Sequence, residues 1–546
     1  MRMKDLIACL RLQGDLKDDS KVAHRVINHN VQASDDGAVF NGRDSYLEIP
    51  SSNELNFGRG EFTIAAEIHT EECLDDVIGD IVSKYDCASR KGFNLTVKHH
   101  AGVVSTQSNH RNVHFGIDDD MVPLWEDCGR AGNAVVIDAL AVYEGMLYAG
   151  TYEPGEGRGH VYRYEGGQEW TDLGSCDKSN KVSALAVYQG KLYAATQKHD
   201  GHGSLLPLSE NSNPGGSVFR FEGQNNWIDC GRVCKADNLL SDNLLSLVVY
   251  RGRLYTSPMY TKGLYRYEGG KEWSKFPSPD SRLFALAPYH GYFYATANRL
   301  ELLKPNVTHA GPGGDPDVQK VVGTDGVYRY KEGNGWEGCG KQDEETQTYA
   351  SVIYKGQIYV GTWPHGSVFR YLGGDKWKNC GRLGNEEEVM GLNVYNGRLY
   401  AGTLPTAEIY RFDGDGQWKR VGRVDWTPDA PLRRALSMAV YQGRLLVGTL
   451  PSGRIYAMEV GKSATYDYEL EPGWRKICAV KGRNTLKLFV DDKLVASSTE
   501  FNRNEYNLSN EEPLKIGFGQ HDYFNGKMKN VRIFNRSVSE KQILEL

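Results

Sequence analysis

A ten-residue pattern recurs through the middle of this chain and constrains its fold more than any other feature. VYEGMLYAGT, VYQGKLYAAT, VYNGRLYAGT and VYQGRLLVGT occupy residues 142–151, 187–196, 394–403 and 440–449. A tryptophan marks each copy of the longer repeated unit, and the series is Trp125, Trp170, Trp227, Trp273, Trp336, Trp377 and Trp418. These spacings lie near the roughly 40–50 residues of a four-stranded propeller blade. The middle of the chain is therefore predicted to hold seven such units.

Each unit contains four short predicted strands. Alternation of apolar and polar residues marks them in ALAVY, KLYAAT, HVYRY and EWTDL. A lone outer-strand motif at 124–129 precedes the first unit, and the last unit stops after its third strand, at 454–462. We predict that 124–129 completes the last unit, so that 122–462 is a seven-bladed β-propeller closed by both of its ends.

The residues on either side of the repeats carry different motifs. AVFNGRDSYLEIP (38–50) and IVSKYD (81–86) come before them, and GWRKICAVKGRNTLKLFVDDKLVASS (473–498) and FNGKMKNVRIFNRSVSEKQILEL (524–546) come after. In order, these motifs resemble the laminin G-like (concanavalin A-like) jelly roll. The resemblance implies a β-sandwich made of two separated segments.

The predicted fold is thus all-β, with a seven-bladed β-propeller inserted into a loop of a laminin G-like β-sandwich. The expected domains are the first part of the sandwich at 1–121, the propeller at 122–462 and the second part of the sandwich at 463–546. Both ends of a closed ring emerge close together, so a two-strand tether can carry the ring without unfolding its host.

Charge and hydropathy disfavour several classes of partner. The formal net charge is −6, with both signs mixed along the chain, which leaves no basic stripe for nucleic acid. No apolar run approaches the roughly 20 residues of a membrane span, and Asp5 and Asp15 interrupt the N-terminus before a signal-like core develops. We expect a soluble protein, cytoplasmic as written, or secreted or periplasmic if an export signal was removed. The cysteines lack disulfide or metal spacing and are expected to be free thiols.

Loop lengths point to one face of the predicted ring. The loops that join first to second strands and third to fourth strands are uniformly short. On the other face, two second-to-third loops are long, at 197–216 and 297–326. Packing makes the same demands on every unit, so it does not explain two long loops on one face. We therefore favour ligand recognition there, with drift in tolerant loops as the alternative.

The candidate site residues lie on that loop-rich face. The candidate catalytic residues are His199, His202, Tyr260, His365 and Arg299, and the candidate ligand-binding residues are Tyr152, Trp363, Arg282, His309 and Glu388. Histidine and tyrosine beside an arginine that neutralises a uronate carboxylate suit lyase chemistry. An aromatic ring could equally stack on a sugar without any reaction, and each histidine could be an ordinary loop residue. A metal site in the HDGH segment at 199–202 is disfavoured because no helix aims the imidazoles.

The resemblance to the jelly roll also implies a structural calcium ion. Asp15, Asp18 and Asp19 in GDLKDDS stand where members of the family commonly carry such oxygen donors. Members also commonly carry Asp-Asp before the Val-Arg-Ile strand, whereas this chain has Lys529 and Asn530 there. A solvated turn that caps the first strand is the alternative.

Three functions fit these patterns. The first is a carbohydrate-recognition protein that binds a glycan or polysaccharide through the loop-rich propeller face, the sandwich or both. The second is a polysaccharide lyase or glycoside hydrolase with its active site on the propeller face. The third is a protein-interaction scaffold that docks a protein partner. Fold alone does not choose among them.

Overall fold

A computed structural model describes residues 5–99, 106–199, 204–206, 209–234, 243–302, 319–414 and 416–546. The first group of strands contains β1 (Leu6–Leu10), β2 (Ile27–His29), β3 (Ala38–Asn41), β4 (Tyr46–Ile49), β5 (Phe62–Thr70), β6 (Gly79–Asp86), β7 (Lys91–Lys98) and β8 (Asn112–Asp119). A 3₁₀ turn at Asn53–Leu55 lies between β4 and β5.

The middle of the chain supplies the strands of the repeated units. They are β9 (Leu124–Arg130), β10 (Val136–Tyr143), β11 (Met146–Tyr152), β12 (His160–Gly166), β13 (Glu169–Ser175), β14 (Lys181–Tyr188), β15 (Lys191–Gln197), β16 (Ser217–Phe221), β17 (Trp227–Arg232), β18 (Val248–Tyr250), β19 (Arg253–Thr256), β20 (Leu264–Gly269), β21 (Glu272–Phe276), β22 (Arg282–Tyr289), β23 (Tyr292–Leu302), β24 (Gln319–Lys331) and β25 (Gly335–Gly338). They continue with β26 (Gln347–Tyr354), β27 (Gln357–Trp363), β28 (Ser367–Gly373), β29 (Lys376–Arg382), β30 (Glu388–Tyr395), β31 (Arg398–Leu404), β32 (Glu408–Gly414), β33 (Gln417–Arg423), β34 (Arg434–Tyr441), β35 (Arg444–Leu450) and β36 (Arg454–Glu459).

The last group consists of six strands and one short helix. They are β37 (Lys462–Tyr466), β38 (Gly473–Lys481), β39 (Leu486–Val490), β40 (Lys493–Ser497), β41 (Leu514–Ile516), β42 (Asn525–Phe534) and α1 (Glu540–Ile543).

Two seven-stranded sheets form the sandwich, and strands from both ends of the chain share each sheet. One sheet has the order β1-β42-β5-β38-β39-β40, with β3 also paired to β42, and the other has the order β2-β4-β41-β6-β7-β8-β37. The core of the sandwich includes Phe40, Phe62, Phe93 and Phe115, all buried. The two flanking segments therefore fold together, while the exact domain bounds stay predictions.

The middle strands form a propeller-like ring of four-stranded units. Five of these units are separate sheets, namely β18–β21, β22–β25, β26–β29, β30–β33 and β34–β36 with β9. The units β10–β13 and β14–β17 instead share one eight-stranded sheet. They are joined because Tyr152, at the end of β11, pairs with Lys181, at the start of β14. The prediction of seven separate blades is therefore wrong: five separate blades accompany one fused sheet.

The ring closes as the isolated motif at 124–129 predicted. β9 pairs with β36 as the outermost strand of the last unit. Across the unit boundaries, each repeat tryptophan donates its indole N–H to a backbone carbonyl of the preceding unit. The pairs are Trp125–Val421, Trp170–Cys128, Trp227–Leu173, Trp273–Cys230, Trp336–Pro277, Trp377–Cys339 and Trp418–Cys380. The repeated tryptophan therefore anchors each outer strand to its neighbour. All ten cysteines are free thiols.

Two-residue turns join the first and second strands of each unit. In the repeat at 187–196, Gln189 and Gly190 have φ values of 49° and 66°. Positive φ at both positions defines the type I′ turn that fits the twist of paired strands, and glycine adopts it without steric cost. One loop prediction is corrected: β23 and β24 extend as a long hairpin through much of 297–326, and 303–318 lie outside the described residues.

The sandwich covers the face of the ring that carries these short turns. Arg251 N donates to Leu74 O at 2.7 Å, Gly291 N to Asp75 O at 3.1 Å and Gly356 N to His521 O at 3.2 Å. The backbone of each turn thus docks on a different loop or strand of the sandwich. The turns on this face are uniformly short, and their backbones contact the sandwich directly.

A segment between β7 and β8 closes the centre of the ring on that side. First strands have open inner edges, and their backbone groups need partners. Leu185 N donates to Thr106 Oγ1 at 3.0 Å, Val249 N to Gln107 Oε1 at 3.1 Å and Val142 N to Ser108 O at 2.9 Å. Among the described residues, no comparable segment covers the opposite face, which carries the long loops and is called the open face below.

Candidate functional site

One small cavity lies at the centre of the open face. Its volume is about 80 Å³, and every unit of the ring contributes to its wall. The walls come mainly from the first and third residues of the first strands. The lining residues at these positions are Val136, Asp138, Lys181, Ser183, Phe284, Tyr349, Glu388, Met390, Arg434 and Leu436, and Leu245 lines the cavity just before β18.

Repeat register explains why these particular side chains meet. Lys181, Arg282, Gln347, Glu388 and Arg434 all stand seven residues before the tyrosine that ends the first strand of their unit. The first strands start at equivalent points around the ring, so these positions lie at the same height along the axis of the ring. Most side chains at this level are polar, and two residues further along the strands the lining is mixed, with Asp138, Ser183 and Tyr349 beside Phe284, Met390 and Leu436.

Charged side chains in the cavity are arranged as pairs. Lys181 Nζ lies 2.9 Å from Asp138 Oδ1, and the two side chains are 10% and 12% exposed. Burial raises the pKa of Asp138, and the adjacent lysine opposes that shift. Burial likewise raises the pKa of Glu388, against the attraction of the Arg434 guanidinium. The buried arginines and lysine therefore face carboxylates whose charge is costly to keep.

His199 presents two vacant nitrogen atoms in this cavity. Its side chain is 2% exposed, and among the described residues neither Nδ1 nor Nε2 has a hydrogen-bond partner. Asn180 fixes its backbone, since His199 N donates to Asn180 Oδ1 at 2.8 Å. The Tyr152 ring packs edge-on against the imidazole with centroids 4.6 Å apart. Burial, with Lys181 and Arg434 nearby, holds the pKa of His199 well below its usual range, so the ring is neutral at pH 7.

Arg282 lies beside the cavity with part of its guanidinium unsatisfied. It is 1% exposed, and its Nη2 donates to Gln347 Oε1 at 2.7 Å. Its Nε and Nη1 have no hydrogen-bond partner within the part of the chain that the structure describes. The guanidinium also lies 4.4 Å from the centre of the Phe284 ring. Gln347 accepts a second hydrogen bond, from the Tyr349 hydroxyl at 2.9 Å. This chain of contacts connects Arg282 to the cavity wall.

The structure brings several predicted site residues together around this cavity. Tyr152, His199, Arg282 and Glu388 meet there, as described above. Trp363, at the end of β27, is half-buried and packs on the apolar cluster that contains Phe284 and Tyr349. Tyr260 is fully buried, and its electrostatic interaction with Arg282 places it behind the same wall.

Two predicted catalytic residues lie away from the cavity. Arg299 is 60% exposed, and its Nη2 pairs with Asp325 Oδ1 at 2.9 Å. His365 is half exposed, with Nδ1 at 3.5 Å from Glu345 Oε1. Both side chains therefore have local partners instead of a shared pocket. The predicted residues His202 and His309 lie outside the described residues.

The predicted calcium ligands do not form a common oxygen cage. Asp18 accepts hydrogen bonds from Cys9 N, Ser20 N and His24 N at 2.8 to 2.9 Å, which fixes the turn after β1. Asp19 pairs with Arg11 at 3.0 Å, and Asp15 accepts only Lys17 N, at 3.3 Å. Within the described ranges, no group of three or more His, Cys, Asp or Glu side chains is placed to hold a metal. The observed contacts match the strand-capping alternative, and calcium binding stays a prediction.

Sequence reasoning missed Lys181, Asp138 and Tyr349. A signal for them exists within the repeats themselves. Lys181 stands seven residues before the strand-ending tyrosine, a position that holds valine, lysine, asparagine, arginine, glutamine or glutamate in different units. Asp138 and Tyr349 stand five residues before it, at a second position that varies between units. A variable polar position inside an otherwise uniform repeat indicates a residue that serves the site rather than the ring.

One family model matches part of the chain. It is described as the concanavalin A-like lectin/glucanases superfamily and covers residues 439–544, from the last ring unit through the second part of the sandwich. No curated protein matches the chain by sequence. The chain is therefore an all-β protein with a propeller-like ring and a laminin G-like region at its C-terminal end.

Solved structures resemble the fold at low identity. The extracellular domain of a protein described as a one-component system of B. thetaiotaomicron is 11% identical, with a TM-score of 0.43, over 68% of this chain and 47% of that chain. An inactive variant of virginiamycin B lyase from Staphylococcus aureus, solved with quinupristin, is 9% identical, with a TM-score of 0.43, over 62% of this chain and 99% of that one.

A gluconolactonase of Xanthomonas campestris is 13% identical, with a TM-score of 0.34, over 66% of this chain and 98% of that chain. This chain spans about half the length of the first structure named above. At such TM-scores the likeness carries no argument about function. Among the described residues, no helix is long and apolar enough to cross a membrane.

Proposed function

We propose that the protein recognises an acidic glycan through the cavity on the open face of the ring. The observation that carries this proposal is the imbalance of buried charge. Lys181, Arg434 and the adjacent Arg282 face only two carboxylates, Asp138 and Glu388, among the described residues. A buried excess of positive charge calls for an anionic partner. A uronate carboxylate at the end of a sugar chain supplies one.

The walls of the cavity suit the rest of such a ligand. Phe284, Tyr349 and Met259 give apolar surface, and Trp363 packs against the same cluster. Sugar-binding sites combine apolar surface with a few oriented polar groups in this way. The volume of about 80 Å³ fits one end of a ligand. The superfamily model that includes lectins matches residues 439–544, mostly in the sandwich, and favours a carbohydrate ligand for the protein without locating its site.

The sandwich is a weaker place for this binding. The sheet containing β6, β7 and β8 faces the ring, and Asn94, Thr96 and His114 on these strands are buried. A ligand could not reach that sheet face without separating the sandwich from the ring. Glycan recognition by the sandwich would have to use its other surfaces.

Titration calorimetry with oligogalacturonate and with a neutral oligosaccharide of equal length tests the proposal. We expect saturable binding of the acidic chain only, and at least tenfold weaker binding for Arg434→Met. Arg299→Met is the matched control, because Arg299 is exposed and paired with Asp325. Trp363→Ala tests the aromatic contact. Equal affinity for the neutral sugar, or full affinity in Arg434→Met, would overturn the proposal.

An enzyme is the second candidate, and the state of His199 favours it. A neutral imidazole with two vacant nitrogens can accept a proton from the carbon next to a uronate carboxylate. The pKa of Tyr349 is raised well above its usual value by burial, so this phenol keeps a proton that it could donate to the leaving oxygen. Such a β-elimination gives an unsaturated sugar and a new chain end.

An assay with polygalacturonate as the substrate tests whether the protein is a lyase. The absorbance of the unsaturated product is measured over time. We expect activity that falls at least a hundredfold in His199→Ala while oligogalacturonate binding remains. His365→Ala is the control, since His365 lies away from the cavity. Binding without product would leave recognition as the function and remove the lyase.

A further inference from the structure

The third strand of six ring units carries an arginine at one repeat position. In four of these units, a carboxylate two residues later neutralises it. Nε of the arginine lies 2.8 Å from Glu165 in the Arg163 pair, 2.7 Å from Glu222 in the Arg220 pair, 2.8 Å from Glu268 in the Arg266 pair and 2.5 Å from Asp413 in the Arg411 pair. In a fifth unit, Arg329 pairs with Glu337 on the next strand. The repeat therefore couples this arginine to an acid.

Arg370 breaks this rule. Leu372, 50% exposed, occupies the position of the acid. The residue directly opposite Arg370 on the neighbouring strand is Lys378, a second cation. Arg370 contacts the Tyr359 hydroxyl, but its buried Nε finds no hydrogen-bond partner among the described residues. Like charges opposite each other destabilise a strand pair, so this arrangement lacks an anion that the other units have.

A cavity of about 280 Å³ opens at this point between the ring and the sandwich. Five cationic side chains line it, namely Arg90, Lys355, Arg370, Lys378 and Arg398. Tyr354, Tyr359 and Phe412 form aromatic parts of the wall, with the Phe412 ring centre 6.0 Å from that of Tyr359. The wall of the cavity thus combines cationic side chains with aromatic rings.

Two of the five cations are already neutralised by the sandwich. Arg90 pairs with Asp120, at 2.5 Å from Nε to Oδ1, and Arg398 pairs with Asp118. Asp413 also lines the cavity, but its carboxylate forms an ion pair with Arg411.

The other three cations are Arg370, Lys378 and Lys355. Within the part of the chain that the structure describes, none of them forms an ion pair. Asp86 acts on Lys355 only from beyond ion-pair distance. Three cations without a carboxylate partner therefore converge on one cavity.

We propose that this cavity binds an oxyanion, a sulfate or phosphate ester carried on a sugar-sized body. The arginine offers a planar fork that matches a tetrahedral oxyanion, and the two lysines add point charges. The aromatic wall accommodates the apolar face of a sugar ring. This site is separate from the open-face cavity, and it spans the contact between the sandwich and the ring.

Leu372→Glu gives the sharpest test because it restores the acid that the other units carry. The exposed leucine tolerates the change, and the new carboxylate would pair with Arg370 as Glu222 pairs with Arg220. We measure affinity for inorganic sulfate and phosphate by calorimetry, at constant ionic strength set with chloride. We expect at least tenfold weaker binding in Leu372→Glu and in Arg370→Gln. Glucose 6-sulfate and glucose 6-phosphate then distinguish the two esters.

Arg220→Gln is the matched control, since it removes the same repeat arginine from a unit in which Glu222 neutralises it. It should bind the oxyanions as the wild type does. Arg434→Met should also leave this binding unchanged, which separates the site from the proposed glycan cavity. Unchanged oxyanion affinity in both Leu372→Glu and Arg370→Gln, or an equal loss in Arg220→Gln, would overturn the proposal.

Discussion

Asn109 of the sandwich and Val440 of the ring exchange two hydrogen bonds, as neighbouring strands do. Asn109 Nδ2 donates to Val440 O at 2.8 Å, and Val440 N donates to Asn109 Oδ1 at 2.9 Å. Both residues are buried. A side-chain amide thereby replaces a strand at the open inner edge of β34. The contact ties the sandwich to the last unit of the ring, which is also the unit that β9 closes.

Asn109→Ala should lower the stability of the ring substantially. The change leaves the N–H and C=O of Val440 buried without partners, at a cost of about 2–4 kcal/mol in the free energy of unfolding. Urea denaturation followed by tryptophan fluorescence measures it, because each unit boundary of the ring contains a tryptophan. The exposed Asn133→Ala is the control, expected to change stability by less than about 0.5 kcal/mol. Equal midpoints for the two variants would contradict the structural role of Asn109.

The buried imidazole of His114 should make the protein less stable in mild acid. Burial, reinforced by Lys98, lowers the pKa of His114 to about 3, and in the described ranges neither ring nitrogen has a hydrogen-bond partner. An unfolded histidine titrates near pH 6.5, so below that pH the unfolded state binds the extra proton first. Stability is therefore lost as the pH falls from about 6.5 toward 3, by ~2 kcal/mol at pH 5.

Comparison with His114→Asn isolates this effect from other groups. Asp80 lies in the same contact region, and burial raises its pKa to about 7, which acts in the opposite direction. That contribution is common to both proteins and cancels in their difference. Unfolding free energies measured from pH 7.5 to pH 5 should converge as the pH falls, because only the wild type carries the histidine. Parallel curves would show that His114 does not titrate as the geometry requires.

Asp138→Asn should destabilise the ring because it leaves a buried lysine unpaired. The Lys181 and Asp138 side chains are both largely buried at 2.9 Å. Removal of one partner of a buried pair costs about 3 kcal/mol or more, since the remaining charge stays out of water. Asp280→Asn is a matched control, because Asp280 pairs with Lys262 at 2.8 Å on the surface. Exposed pairs contribute under about 1 kcal/mol. Similar melting temperatures for the two variants would contradict the burial argument.

Repetition made much of the fold predictable. The hairpin turns, the tryptophan anchors and the closure by 124–129 follow from packing demands that every unit shares. The repeats point to Tyr152, His199, Arg282 and Glu388 because these residues follow or precede repeated strands on the loop-rich face, and their role in a site stays a prediction. The fused sheet was not predictable, because one pairing between Tyr152 and Lys181 produces it. A repeated sequence pattern predicts contacts that recur in every unit, and this strand pairing occurs between two units only.

The sequence also does not predict that the sandwich covers one face of the ring. It depends on contacts between residues far apart in sequence, such as Lys98 Nζ donating to Val394 O. A buried lysine and an ordinary strand valine give no sign of each other in the sequence. Arg299 and His365 were selected by residue type and loop position, and each instead pairs with a nearby acid. Residue type indicates chemistry, but only the three-dimensional neighbours decide whether a group is available.

Binding of an acidic glycan should tighten as the pH falls through the titration of Glu388. Burial raises the pKa of this carboxyl, so acidification neutralises it before an exposed glutamate would titrate. Loss of that negative charge strengthens the positive field of Lys181 and Arg434 on the ligand. A galacturonate carboxylate stays ionised to lower pH than a buried glutamate does, so the gain appears before the ligand itself protonates.

Calorimetry with oligogalacturonate from pH 7.5 to pH 5 measures the effect. Glu388→Gln should bind several-fold tighter than the wild type at pH 7.5 and should lose most of the pH dependence. Glu345→Gln is the control, since Glu345 pairs with His365 away from the cavity, and it should follow the wild-type curve. If Glu388→Gln kept the full pH dependence, another group would have to control ligand charge in the cavity.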